Sequence, residues 1–288
     1  EADDLLRRSS GSEEAPRMLG AFNEETPDWL SFFMFTYFTD RDGKMQLESL
    51  AQSGFDPLSR TCRFMLTEEA HHMFVGETGV GRVIQRTCEA MKEAGIEDPY
   101  DVERIRALGV MDLPLIQKKL NLHYTLSLDL FGQEVSTNAA NAFTAGIKGR
   151  YHEHRIDDDH KLDSATYPVL RLIDGKVVIS DEPALSAINM RLRDDYVKDA
   201  AGGVNRWNNI IKKMGIDFEI SLPHVAFHRQ QGEFSSIHAD PEGNLISADD
   251  WNKRRAEWLP SKADGDYSDS LMKPQWEPGK YAGWISPP

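Results

Sequence analysis

In "RFMLTEEAHHMFVG", residues 63–76, two acids and two imidazoles fill positions 68, 69, 71 and 72 of a stretch that otherwise reads as helix core. Glu68–His71 and Glu69–His72 are overlapping Glu-x-x-His pairs. On a helix that spacing sets acid and imidazole side by side, one turn apart. An unpaired buried charge costs several kcal/mol or shifts its pKa until it is neutral, so whichever pair faces inward needs a partner. At about 100° per residue, Leu58, Cys62, Met65, Leu66, Met73, Val80 and Val83 share one face. Glu69 falls in the middle of that face and His72 at its edge. Glu68 and His71 point away, toward the side of Arg82 and Arg86. The inward pair is therefore Glu69 and His72, whose simplest use is a buried Glu–His hydrogen bond.

The preceding helical stretch adds a third group. In "PDWLSFFMFTYFTDRDGKMQLESLA" the stripe Trp29, Phe33, Tyr37, Asp40, Leu47, Ala51 runs along one side, with Asp42 on the other. "DRDG" resembles the opening of a calcium loop, but the twelfth position from Asp40 is Ala51, where a bidentate Glu is required. Calcium is rejected on that ground. Asp40 and Glu69 lie equally far from a turn centred near Gly54–Phe55. In an antiparallel hairpin with equal rise in both arms, equal offsets mean equal height. Asp40, Glu69 and His72 are thus expected to converge. Carboxylate oxygens with one imidazole suit iron or manganese. A carboxylate helix followed by a Glu-x-x-His helix is half of a carboxylate-bridged di-metal site in a four-helix bundle.

These groups must be positioned by helices at 28–53 and 58–95. A short helix and then a longer one from about Pro114 follow, and another runs through "STNAANAFTAGIKGRYHEHR" to about Arg155. "YPVLRLIDGKVVIS" has the alternation and Asp-Gly turn of a β-hairpin. Further helices are expected at 184–200 and 205–214, short strands in "FEISLPHVAFH" and "SSIHADPEGNLIS", and a helix capped by Ser247. "KPQWEPGKYAGWISPP" is expected to lie as an extended arm over apolar surface. The fold class is mainly α: residues 1–155 form a helical segment carrying the site, and 156–288 a small irregular α/β extension ending in the arm.

The 47 acidic side chains against 33 basic give a net charge of −14, which argues against nucleic acid or an anionic membrane as partner. No apolar run reaches membrane-spanning length. Two cysteines, Cys62 and Cys88, make no disulfide framework and fit a reducing cytoplasm. "EADDLLRR" reads as the end of a helix whose beginning lies upstream.

The wording from "DWLSFFMFTYFTDRDGKMQLESL" through "TEEAHHMFVGETGVGRVIQRT", with "STNAANAFTAGIKGR", "RLRDDYVKD", "GVNRW" and "EPGKYAGWISPP", resembles the oxygenase components of benzoyl-coenzyme A epoxidases. That resemblance implies a ferritin-like di-iron enzyme in which Asp40, Glu69 and His72 are iron ligands. It implies benzoyl-CoA and O2 as substrates, and two electrons from a separate flavin and iron–sulfur reductase. One oxygen atom would add across the 2,3 bond of the ring and the other would leave as water. It further implies a preceding segment bearing a Glu and a second Glu-x-x-His. No other Glu-x-x-His occurs in these 288 residues, so this chain is expected to hold half of the bundle and half of the site. Trp29, Phe33, Tyr37 and Met65 are candidates for a substrate pocket or for ordinary core. Two other readings stay open: another ferritin-like di-iron oxidoreductase, such as an acyl desaturase or aromatic monooxygenase, or a metal-free, non-catalytic fragment or subunit.

Other chemistry-bearing residues read more plainly as structure. His152 and His154 diverge on a helix, His224 and His228 fall in an extended segment, and Cys62 is core. Lys118, Lys119, Lys148 and Arg150 suit either solvated faces or coenzyme A phosphates.

Overall fold

The computed structural model describes residues 2–148 and 165–273, and they are mainly helical. After a short α1 (Ala2–Arg7), helix α2 (Trp29–Leu50) starts where the Asp28 carboxylate accepts the backbone N–H of Ser31. Its partner α3 (Asp56–Glu93) opens with Pro57 in the first turn and ends before Gly95, whose φ of 64° is a left-handed conformation open to glycine. The two form the expected antiparallel hairpin.

Glycines set how closely these helices meet. A Cβ on Gly76 would lie 2.6 Å from the backbone N of Tyr37 and 2.8 Å from the Phe33 carbonyl, and one on Gly79 would sit inside the Phe33 ring. The Gly76 and Gly79 positions therefore let α3 rest directly on α2.

Helices α4 (Val102–Ala107) and α5 (Leu113–Leu128) follow, α5 with an Asp112 cap and burial on most sides. Helix α6 (Thr137–Thr144) is much shorter than expected, because the chain turns at Gly146 with φ 68°. The expected end at Arg155, the acidic run 157–160 and the 155/156 boundary lie outside the described residues. The hairpin forms as read, β1 (Thr166–Ile173) against β2 (Lys176–Pro183), turning through Asp174 and Gly175, both at positive φ.

Residues 188–213 depart from expectation: α7 (Ile188–Lys213) is one helix, not two. The Ala-Gly-Gly stretch reads as a break, yet Gly203 is where the Tyr37 hydroxyl meets α7, leaving no room for a Cβ. That hydroxyl donates to the Ala200 carbonyl at 2.9 Å. Packing overrides propensity here. "FEISLPHVAFH" forms no strand. Its backbone is satisfied by side chains instead: Asn208 brackets Ile220 through two 2.8 Å bonds, and Gln117 does the same at Ser221. A small pair, β3 (His238–Ala239) with β4 (Leu245–Ile246), precedes α8 (Ala248–Trp258), capped by Ser247 as expected. An unexpected α9 (Lys262–Leu271) begins at a Ser261–Asp264 capping box. The expected arm over 274–288 lies outside the described residues.

Helix α2 is the hub, packed against α3, α5 and α7. Tyr37 and Trp207 meet at 4.7 Å between ring centroids, and Phe38 stands edge-on to Tyr124 at 5.7 Å. Among the described residues no helix is long and apolar enough to cross a membrane.

Candidate metal centre

Asp40 on α2 and Glu69 and His72 on α3 come together. One ligand atom from each lies within 4.8 Å of the others, the one such group of three or more among the described residues. His72 Nδ1 is 3.5 Å from Asp40 Oδ2 and 3.9 Å from Glu69 Oε2. Glu68 and His71 are exposed, as the helical wheel requires. The equal-height argument holds because the connection at 51–55 is short and both helices are regular around it.

The electrostatics show two carboxylates held together at some cost. Burial pushes the Asp40 carboxyl up to about 6, the Glu69 charge pushes it the same way, and His72 pulls it back. Burial also raises Glu69, again opposed by His72. Glu69 Oε2 is buried without a hydrogen-bond partner. A carboxylate oxygen shielded from water and without a hydrogen-bond donor is what a cation would satisfy. The donor set of two carboxylates and one imidazole fits a first-row transition metal. On the outer side the cluster is open: the His72 side chain is 48% exposed, and Phe64, Met65 and Phe74 are exposed nearby on α3.

The chain is 56% identical over all 288 of its residues to "Benzoyl-CoA oxygenase component B" of Aromatoleum evansii, and it spans 60% of that protein's length. It is a relative of that component. No family model matches the chain.

The remaining sequence candidates have other occupations. Tyr37 is wholly buried and bonded to α7, so it is core rather than pocket wall. Phe33 is half-buried over Gly79, while Trp29 and Met65 are exposed. Lys119 is buried against the Asp28 carboxylate at 2.7 Å, Lys118 reaches Asp264 at 3.3 Å, and Lys148 donates to Gln46 at 2.7 Å. None of these three is a free phosphate-binding cation. His224 Nδ1 accepts the Ala226 N–H, and His228 stacks on Trp251. Arg150, His152 and His154 lie outside the described residues.

Sequence reasoning missed the environment of Asp42. It does lie on the other side of α2, but that side is not solvent: Asp42 is buried beside Gln46 and Lys148, and burial pushes its carboxyl up to about 7. Reading that burial required knowing that α2 is surrounded. The three glycines of "GETGVG" were the available signal for close packing behind the site.

Proposed function

We propose that this chain carries the metal-binding half of the catalytic centre of a benzoyl-CoA oxygenase component, with Asp40, Glu69 and His72 as ligands. The observation carrying the proposal is the meeting of these three side chains around the unpartnered Glu69 oxygen, in a chain 56% identical to a protein of that name. In this reading α2 and α3 are two helices of a ferritin-like di-iron bundle, and the further donors come from another helical layer on the open side. Residues 1–155 hold the ligands and 156–288 form an extension that buttresses them, a role supported by the packing of α7 against α2 and α3.

Bound iron would supply the activation of O2. The protein's own residues do the rest. Asp40 and Glu69 contribute anionic oxygen from opposite helices, and His72 contributes a neutral nitrogen. The glycine-spaced seam at Gly76 and Gly79, plugged by Phe33, closes the helix pair against water on one side of the cluster. The aromatic ring of the thioester would be held beside the cluster, to be converted to the 2,3-epoxide. Electrons from a separate flavin and iron–sulfur reductase fit the relative's designation as component B. Buried, unpaired Cys62 and Cys88 support a cytoplasmic setting.

The test is metal analysis of the full-length protein with turnover of benzoyl-CoA under O2 and reductase. Bound iron and a product heavier by one oxygen atom are expected. Full-length protein with no metal, or with iron but no consumption of benzoyl-CoA, would overturn this reading.

A further inference from the structure

Two thioethers flank the donor cluster. Met65 and Met73 stand four residues before and four residues after Glu69 on α3. At 3.6 residues per turn, each points within about 40° of the Glu69 direction and lies about 6 Å along the axis from it. Side chains at that spacing are neighbours, with Cβ atoms about 5–6 Å apart. A methionine side chain, unbranched and freely rotating, spans that distance. Both are therefore within one turn of the Glu69 Oε2 atom that has no hydrogen-bond donor.

Packing sets this pair apart from most of the other methionines. Met34, Met45, Met91, Met111 and Met190 are buried in the main apolar core, and Met214 packs against it. Met65 and Met73 belong to no apolar cluster among the described residues; Met65 is 41% exposed and Met73 is half-buried. Other oxidisable groups on these two helices are turned away or sealed. The Tyr37 hydroxyl donates to the Ala200 carbonyl of α7, and Cys62 is buried with Leu47 and Ala51.

We propose that Met65 and Met73 accept the oxygen atom when no aromatic ring is in place, each being converted to its sulfoxide. The inference rests on the reading of Asp40, Glu69 and His72 as a metal site that activates O2. The balance is that of ring oxidation. One atom of O2 forms the S=O bond with a sulfur lone pair; the other takes two electrons and two protons and leaves as water. The electrons come from ferrous iron loaded into the protein, or from the reductase during turnover. Thioether sulfur is soft and polarizable, and it is oxidised at sulfur without breaking the side chain. Methionine sulfoxide is also returned to the thioether by sulfoxide reductases, so the pair is a renewable sink that shields the His72 ring.

Peptide mass spectrometry of the full-length, ferrous-loaded protein tests the proposal. The protein is exposed to heavy-isotope O2 with catalase present and benzoyl-CoA absent. Tryptic peptide 64–82 contains both methionines, and its fragment ions tell them apart. Labelled oxygen is expected at Met65 and Met73, severalfold above the level at Met18, which is 67% exposed and reports oxidation from bulk solution. Adding benzoyl-CoA should lower the label severalfold by diverting oxygen to the ring. The same protein stripped of iron by a chelator should show background only. Label at neither position, label no higher than at Met18, or label unchanged without iron overturns the assignment. The two readings fail separately. Iron-dependent labelled sulfoxide in a protein that never oxidises benzoyl-CoA refutes the proposed reaction and leaves the acceptors standing; oxidation of benzoyl-CoA with no labelled sulfoxide in its absence does the reverse.

Discussion

His72 Nδ1 lies 3.5 Å from Asp40 Oδ2, across two helices whose contact depends on the absence of side chains at Gly76 and Gly79. The ligand cluster and the glycine seam are therefore one construction: the turn sets the height of the three donors, and the seam sets the spacing at which they meet.

The first expectation separates the two Glu-x-x-His pairs. Asp40→Ala, Glu69→Ala and His72→Ala in the full-length protein should each lower bound metal severalfold, as measured by elemental analysis. His71→Ala should leave the metal content near wild type, since that ring is not among the three side chains that come together. Equal losses for His71→Ala and His72→Ala would contradict the ligand assignment.

Gly79→Ala places a methyl group in the Phe33 ring and forces the helices apart. Overpacking of this kind costs about 1–3 kcal/mol. A melting temperature lowered by several degrees is expected, along with reduced metal content, because the displaced helix carries two of the donors. An unchanged melting curve would show that Phe33 simply rotates away.

Lys119 and Asp28 form a buried pair at 2.7 Å, and Ser31 Oγ also accepts from the lysine. Removing one partner strands the other charge, at a cost of about 3–5 kcal/mol. Lys119→Met should therefore destabilise strongly in chemical denaturation. Asp28→Asn combined with Lys119→Met should recover part of the loss, because no lone charge remains and Asn still caps α2.

His123 gives a pH signature. Burial holds its pKa down to about 3, against an ordinary 6.5. The unfolded chain accepts a proton below about 6.5 that the folded protein refuses, so stability present above that pH is lost as pH falls toward 3. Asp42 works in the opposite sense: its carboxyl, raised to about 7, takes up a proton more readily when folded and adds stability as pH falls from 7 toward 3.8. Comparing wild type with His123→Gln isolates the first effect. The drop in melting temperature from pH 7 to pH 5 should be smaller in the variant, and an equal drop would mean that His123 protonates freely in the fold.

How much could be read in advance differs from element to element. The α2–α3 hairpin, the β-hairpin at Asp174–Gly175 and the Ser247 cap were legible because their signals are local: periodicity, turn residues at positive φ, and a capping hydroxyl. The joint in α7 was misread for the converse reason. Its glycines look like a break until Tyr37, far away in sequence, is seen to need the space at Gly203. The coil at 217–222 escaped likewise, since its backbone partners are side chains of α5 and α7.

For the site itself, the sequence alone determined which acid and which imidazole turn toward Asp40, and that Asp40 stands level with them, although His72 is half exposed rather than buried. Helical rise and rotation are fixed by the backbone, so counting residues from a turn is counting distance. Only the tertiary structure decided what surrounds those groups. Asp42 is enclosed, Lys119 is consumed by Asp28, and Arg82 and Arg86 border an apolar groove. Burial, pairing and the shape of a groove depend on which helices pack together, and that choice is made by the whole core at once rather than by any one stretch of chain.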